Sequence, residues 1–224
     1  MYPLNTFKKN SNIISIENFF SDDEIGKIFK ICEDEDFFTS EVYAKNRKKF
    51  LYNKDIEKNK LEEITSTVEK TLRDANLKWI KLNNKSEWLY NKLISSIKEV
   101  NVSNYNYILN FIEILQFSKY NSSNYSFHSK HIDCQNADNL KNFEDIRKLS
   151  FSIQLTNPEE YEGGNLKFYS GNKSIYTGKD EYSIANKKKG SITFFPSNIF
   201  HEVTPVTKGN RYSLVGWVSG PNIL

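Results

Sequence analysis

The sequence predicts an α+β protein built on a double-sheet jelly roll. Two observations carry that reading. Over roughly the first hundred residues apolar side chains recur at helical spacing. From about Tyr105 onward the chain changes to short runs of β-branched and aromatic residues, separated by Asn, Ser and Gly clusters that read as turns. Eight short strands in succession suggest a double-sheet jelly roll.

The helices come first. Ser21 followed three residues later by Glu24 forms a capping box, and Ile25, Ile28, Phe29 and Cys32 then line one helical face. Leu61, Ile64, Val68 and Leu72 predict a second helix, and Trp88, Leu89, Leu93, Ile94 and Ile97 a third. None of these stripes carries a metal ligand. The predicted strands cover 109–119, 127–133, 148–156, 165–169, 181–184, 190–195, 200–206 and 211–219. We expect one domain over 1–224, with 1–102 as mainly helical support and 103–224 as the jelly-roll core.

Composition sets limits. The 31 basic and 28 acidic residues leave a net charge of +3, which by itself does not call for a nucleic-acid partner. The basic stretch Lys45, Arg47, Lys48, Lys49 is soon followed by Asp55 and Glu57 and reads as a solvated face. Lys187, Lys188 and Lys189, just before Gly190, read as a turn between strands. Two cysteines a hundred residues apart, Cys32 and Cys134, demand no disulfide, so a reducing compartment is expected. No run has the length of a signal peptide core or a membrane span, and a cytoplasmic protein with no membrane partner is the expectation.

The chemistry is concentrated in His131-Ile132-Asp133, His201 and Arg211-Tyr212-Ser213. Residues i and i+2 of a strand share a face, so His131 and Asp133 can present an imidazole and a carboxylate to one ion, with Ile132 turned away. Two imidazoles and one carboxylate suit a ferrous ion with open coordination positions. Arg211 and Ser213 share the same relation, and a guanidinium with a hydroxyl beside it matches a carboxylate. His128 sits three residues before His131, but Lys130 occupies the place where a carboxylate ligand would follow it; it reads as a strand-edge histidine near the site mouth. Cys134 reads as packing.

The stretch from about Ile112 to Pro221 resembles the iron(II) and 2-oxoglutarate dependent dioxygenases, in their prolyl 4-hydroxylase-like branch. The resemblance is carried by Tyr120, His131-Ile132-Asp133, the run 149–155, Tyr161-Glu162-Gly163-Gly164-Asn165-Leu166, the run 190–197, the run 201–206 and the run 209–217, in that order. It implies a double-stranded β-helix in which His131, Asp133 and His201 hold Fe(II) and Arg211, assisted by Ser213, pairs with the distal carboxylate of 2-oxoglutarate. Tyr120 would reach the cosubstrate, and Gly163 and Gly164 would form a tight hairpin. Dioxygen would be consumed, with ascorbate as a supporting reductant, and a C–H bond of a peptide or small-molecule substrate, a peptidyl proline or similar side chain, would be hydroxylated with release of succinate and CO2.

The sequence departs from the family in two places. Position 211 is Arg where collagen-type prolyl hydroxylases commonly use Lys, and the segment 121–124 lacks a glycine often found before the first histidine. Asp133 argues against the related halogenases, which replace the carboxylate by a small residue. Trp217 stands where the nucleic-acid dealkylases of this fold carry a second arginine, which disfavours a nucleic-acid substrate. The other class open to the sequence is a non-catalytic jelly-roll module that binds a sugar or peptide, since a fold alone does not fix function.

Overall fold

Fourteen strands and two α-helices organise the residues that the structure, a computed structural model, describes: 13–33, 38–39, 72–134, 145–173 and 178–222. In chain order they are β1 (Ile14–Ile16), α1 (Asp22–Glu33), β2 (Phe38–Thr39), β3 (Arg73–Asp74), β4 (Asn76–Ile80), α2 (Glu87–Val100), β5 (Phe111–Ile112), β6 (Leu115–Asn121), β7 (Phe127–His131), β8 (Asp145–Gln154), β9 (Tyr161–Gly163), β10 (Leu166–Lys173), β11 (Asp180–Ile184), β12 (Ile192–Pro196), β13 (His201–Val203) and β14 (Val206–Pro221). The predicted helix over Leu61–Leu72, apart from Leu72 itself, which is exposed, and the basic stretch at 45–49 lie outside the described residues.

Two sheets form the core. The larger has nine strands with the path β1-β12-β8-β14-β6-β4-β2, with β5 and β9 also paired to β14; the smaller runs β11-β10-β13-β7-β3. Neighbouring strands are antiparallel throughout, as a double-stranded β-helix requires.

The sequence of β8 explains why the large sheet has two different faces. Leu149, Phe151 and Ile153 point one way, into a core shared with Ile28, Leu89, Leu93 and Leu214, so α1 and α2 cover that side. Ser150, Ser152 and Gln154 alternate with them and point between the sheets. Gln116, Ser118 and Tyr120 on β6, and Arg211, Ser213 and Trp217 on β14, follow the same parity. The space between the sheets is thus largely polar at its centre, and a smaller apolar cluster of Leu77, Tyr120, Leu166, Phe168, Phe195, Val203 and Val206 closes the remainder.

The two described helices behave as the sequence predicts. The Ser21 hydroxyl accepts from the Glu24 backbone N–H at 3.2 Å, and Glu24 Oε2 accepts from the Ser21 N–H at 2.9 Å, completing the capping box. The Tyr90 hydroxyl on α2 donates to Ile80 O of β4 at 2.7 Å, and Lys92 Nζ meets Glu24 Oε1 at 2.6 Å, so the helices are tied to the sheet and to each other.

The first hundred residues are more than helical support. They contribute β1, which pairs with β12 through Ile14, Ser15 and Ile16, and β4, which pairs along β6 from Asn76↔Lys119 to Ile80↔Leu115. Alternation in Leu77-Lys78-Trp79-Ile80 is too short to announce a strand. It becomes one because the edge of β6 offers it unsatisfied backbone groups.

Candidate active site

His131, Asp133 and His201 come together between the sheets, with one ligand atom from each lying within 4.8 Å of the others. β7 and β13 are neighbours in the small sheet, and His131 and His201 are direct register partners, which sets their rings 4.1 Å apart. The expected sharing of one strand face by His131 and Asp133 does not hold. β7 ends at His131, and the backbone N–H groups of Asp133 and Cys134 both donate to Ser197 O, at 2.9 and 3.1 Å. That anchorage draws the chain off the strand towards the end of β12, and it still delivers the carboxylate to 3.6 Å from His131 Nε2 and 3.5 Å from His201 Nε2.

The protonation pattern suits a metal. His131 Nδ1 lies 2.8 Å from Ser129 O and His201 Nδ1 2.9 Å from Ile199 O. A carbonyl oxygen only accepts, so each Nδ1 carries a hydrogen, and Nε2 is the ring atom left to face the Asp133 oxygens. Burial lowers the His201 pKa; Asp133 opposes this and His131 reinforces it, so the ring is neutral at physiological pH. Burial works against the charge of Asp133, but His201, His131 and the Ser150 hydroxyl hold its carboxyl well below the usual range. Ser150 Oγ donates to Asp133 Oδ2 at 2.7 Å and, its one hydrogen spent, accepts from Ser197 Oγ at 2.8 Å.

His128 stays outside the ligand cluster. It stacks on His131 with centroids 3.7 Å apart and rings inclined by 25°. It is also not at a sheet edge, because β3 covers β7 and pairs Arg73 with His128. Burial, then the charge of Arg73, pushes the His128 pKa well down. Arg73 Nε and Nη2 and Trp217 Nε1 are buried donors without a hydrogen-bond partner among the described residues.

Arg211 lies deeper. It is 2% exposed, and no carboxylate pairs with it among the described residues. Its Nη2 donates to Gln154 Oε1 at 2.8 Å and its Nη1 reaches Ser213 Oγ at 3.4 Å, while Nε has no partner among the described residues. A buried guanidinium with a spare donor calls for an anion. Tyr120, the register partner of Arg211, presents its ring 5.3 Å from the guanidinium carbon. Tyr161 closes another side, its hydroxyl accepting from Gln154 Nε2.

Gly163 and Gly164 have positive φ, as expected, but they make a corner between sheets instead of a hairpin: β9 pairs with β14, and β10 belongs to the small sheet. A Cβ on Gly164 would stand 2.8 Å from Arg211 Cδ, so the glycine leaves room for the arginine stem.

Sequence reasoning did not single out Ser150, Gln154, Ser197 or Tyr161. The polar alternation Ser150, Ser152, Gln154 within an otherwise apolar strand was the available signal; the roles of Ser197 and Tyr161 depend on contacts between strands. Neither cysteine is in a disulfide; Cys32 is buried and Cys134 part-exposed. Among the described residues no helix is long and apolar enough to cross a membrane.

Comparison with known proteins agrees with this geometry. Residues 115–219 match the 2OG-Fe(II) oxygenase superfamily. A PKHD-type hydroxylase of Gloeothece citriformis is 39% identical over 70 residues, which are 31% of this chain and 28% of that protein. One from Alteromonas mediterranea is 33% identical over 104 residues, 46% of this chain and 41% of the relative, so the matches span less than half of these relatives. The fold is that of a Pseudomonas putida prolyl-4-hydroxylase, with a TM-score of 0.57 at 16% identity over 92% of this chain and 91% of that one. It is also that of a Trichoplax adhaerens prolyl hydroxylase solved with a hypoxia inducible factor peptide fragment, with a TM-score of 0.62 at 16% identity over 93% and 84%. In its double-stranded β-helix, its His-Asp-His cluster and the match over 115–219, the chain is similar to the 2OG-Fe(II) oxygenases, and among them to prolyl 4-hydroxylase-like proteins.

Proposed function

We propose that this protein is an Fe(II)- and 2-oxoglutarate-dependent hydroxylase in which His131, Asp133 and His201 hold the metal and Arg211 holds the distal carboxylate of the cosubstrate. The observation that carries the reading is the pairing of two things in one cavity: three ligand atoms within 4.8 Å and a buried arginine with no acid partner among the described residues. When bound, iron and 2-oxoglutarate supply the oxidative chemistry, coupling use of dioxygen and decarboxylation to succinate and CO2 with hydroxylation of a substrate C–H bond.

The chain's own residues bind, orient and shield. Ser129 O and Ile199 O fix the tautomers of the two histidines, and Ser150 and Ser197 keep the Asp133 carboxylate ionised and aimed. Gln154, Ser213 and Tyr120 orient Arg211, and Tyr120 would lie beside the cosubstrate. The apolar cluster around Phe168, Phe195 and Val206 excludes water from the inner end.

The substrate we favour is a peptidyl proline or a similar side chain, in keeping with the PKHD-type relatives and with the peptide-bound Trichoplax neighbour. The donors of Arg73 and Trp217 that have no partner among the described residues suit the carbonyl oxygens of such a substrate. That neither Cys32 nor Cys134 is in a disulfide agrees with work in a reducing compartment such as the cytoplasm.

The test is succinate release from 2-oxoglutarate with ascorbate present. Release should require Fe(II) and vanish in His131→Ala; turnover that survives this substitution overturns the assignment. A screen of proline-containing peptides and free amino acids by mass spectrometry should find a product heavier by one oxygen. Ligand binding without any succinate release would return the protein to the non-catalytic binding module.

A further inference from the structure

The run Lys187-Lys188-Lys189 divides in three dimensions. Lys188 Nζ pairs with Glu17 at 3.1 Å and Lys189 Nζ with Asp22 at 2.8 Å, so both are the solvated turn residues that the sequence suggests. Lys187 turns the other way. Its Nζ donates to Gly163 O at 3.3 Å and lies 4.6 Å from the centre of the Tyr161 ring, whose hydroxyl end reaches Gln154 beneath Arg211.

Lys187 thereby lines the same enclosed space as Ser152, Gln154, Gly164, Thr193 and Arg211. No carboxylate meets either cation among the described residues, and burial followed by the Arg211 charge pushes the Lys187 ammonium below its ordinary pKa. Two unneutralised positive groups facing one small polar cavity repel each other until an anion with more than one acceptor lies between them. Glycines 163 and 164 make this approach possible. The first exposes its carbonyl to Lys187, and the second has no side chain to separate the lysine's corner from the arginine's stem.

We propose that Lys187 is a second cation of the distal-carboxylate subsite, closing over the end of a dicarboxylic cosubstrate from the β11–β12 turn while Arg211 holds it from β14. This rests on the 2-oxoglutarate reading given above. Lys187 then selects for the second carboxylate: a 2-oxo acid without it gains nothing from the ammonium and still leaves the two cations unneutralised.

Calorimetric titration of the full chain loaded with Mn(II) separates the possibilities. The probes are 2-oxoglutarate and 2-oxopentanoate, which keeps the 2-oxo acid and carbon chain but carries a methyl group in place of the distal carboxylate. Lys187→Met should weaken 2-oxoglutarate binding by about tenfold, the scale of one charge-assisted contact at a part-exposed site, and leave 2-oxopentanoate within about twofold. Lys187→Arg should restore most of the 2-oxoglutarate affinity. Unchanged 2-oxoglutarate binding in Lys187→Met overturns the proposal, and so does equal weakening of both acids, which would mean that the lysine only props the turn. If the unsubstituted protein itself fails to distinguish the two acids, the fault lies in the cosubstrate reading of the Arg211 cavity, and both proposals fall together.

Discussion

At the scale of single residues, the candidate metal centre depends on groups that never touch the metal. Ser150 supplies the hydrogen bond that keeps Asp133 aimed between the two imidazoles, and Ser197 supplies the hydrogen that Ser150 needs in return. Ser150→Ala should therefore lower Mn(II) affinity by about ten- to a hundredfold without unfolding the protein, as loss of a partner to a ligating carboxylate does. Calorimetric metal titration together with circular dichroism checks both halves of that statement. Arg211→Ala should raise the 2-oxoglutarate concentration needed for half-saturation by at least about tenfold, because it removes a buried charge-assisted contact. An unchanged half-saturation would take Arg211 out of the site. The candidate trio His131, Asp133 and His201 stood out in the sequence because the chain has only three histidines and one of them is followed two residues later by an Asp. Ser150 was not, since a serine in a strand is ordinary until its neighbour is known to be Asp133.

At the scale of elements, α1 shows local chemistry that is complete within four residues. Ser21→Ala should cost about 1 kcal/mol by thermal or denaturant unfolding, the usual loss for a capped helix start. Glu24 adds a pH dependence. Burial opposes its charge, but Lys92 and the Ser21 N–H outweigh burial and hold its carboxyl below the ordinary 4.5. A carboxyl whose folded pKa is lowered stabilises the protein above its unfolded value and loses that contribution as pH falls through the folded one. The stability gap between the natural protein and Glu24→Gln should then be open at neutral pH and shrink progressively as pH falls below the ordinary 4.5; a gap independent of pH would remove Glu24 from the cap. Strand parity reads as directly in β8, where Leu149, Phe151 and Ile153 alternate with Ser150, Ser152 and Gln154. It misleads at Asp133, because parity applies only while the chain remains a strand, and the bonds from Asp133 and Cys134 to Ser197 O end β7 two residues earlier than the pattern suggests.

At the scale of the molecule, one sheet separates stability from chemistry: the face toward α1 and α2 is apolar and closely packed, and the face toward the small sheet holds the site. Gly216 marks the packed side, where a Cβ would stand 2.3 Å from Phe151 Cζ and 2.8 Å from Leu115 Cδ2. Gly216→Ala should destabilise the fold by about 1–3 kcal/mol through overpacking, while Mn(II) and 2-oxoglutarate affinities of the folded fraction stay as they were. A loss of affinity without a loss of stability would show that the two faces are not independent. The sequence by itself determined the class of fold, the α1 and α2 helices, most of the later strands and the residue types of the site, because periodicity, caps and rare ligand residues are written locally. Only the tertiary structure decided that β1 and β4 join the large sheet, that Asp133 reaches the histidines from a turn, that Gly163 and Gly164 form a corner, and that Lys187 leaves its two neighbours to face Arg211. Each of these depends on which backbone edge, carbonyl or charge lies opposite, and residues brought together from distant parts of the chain carry no local mark of their meeting.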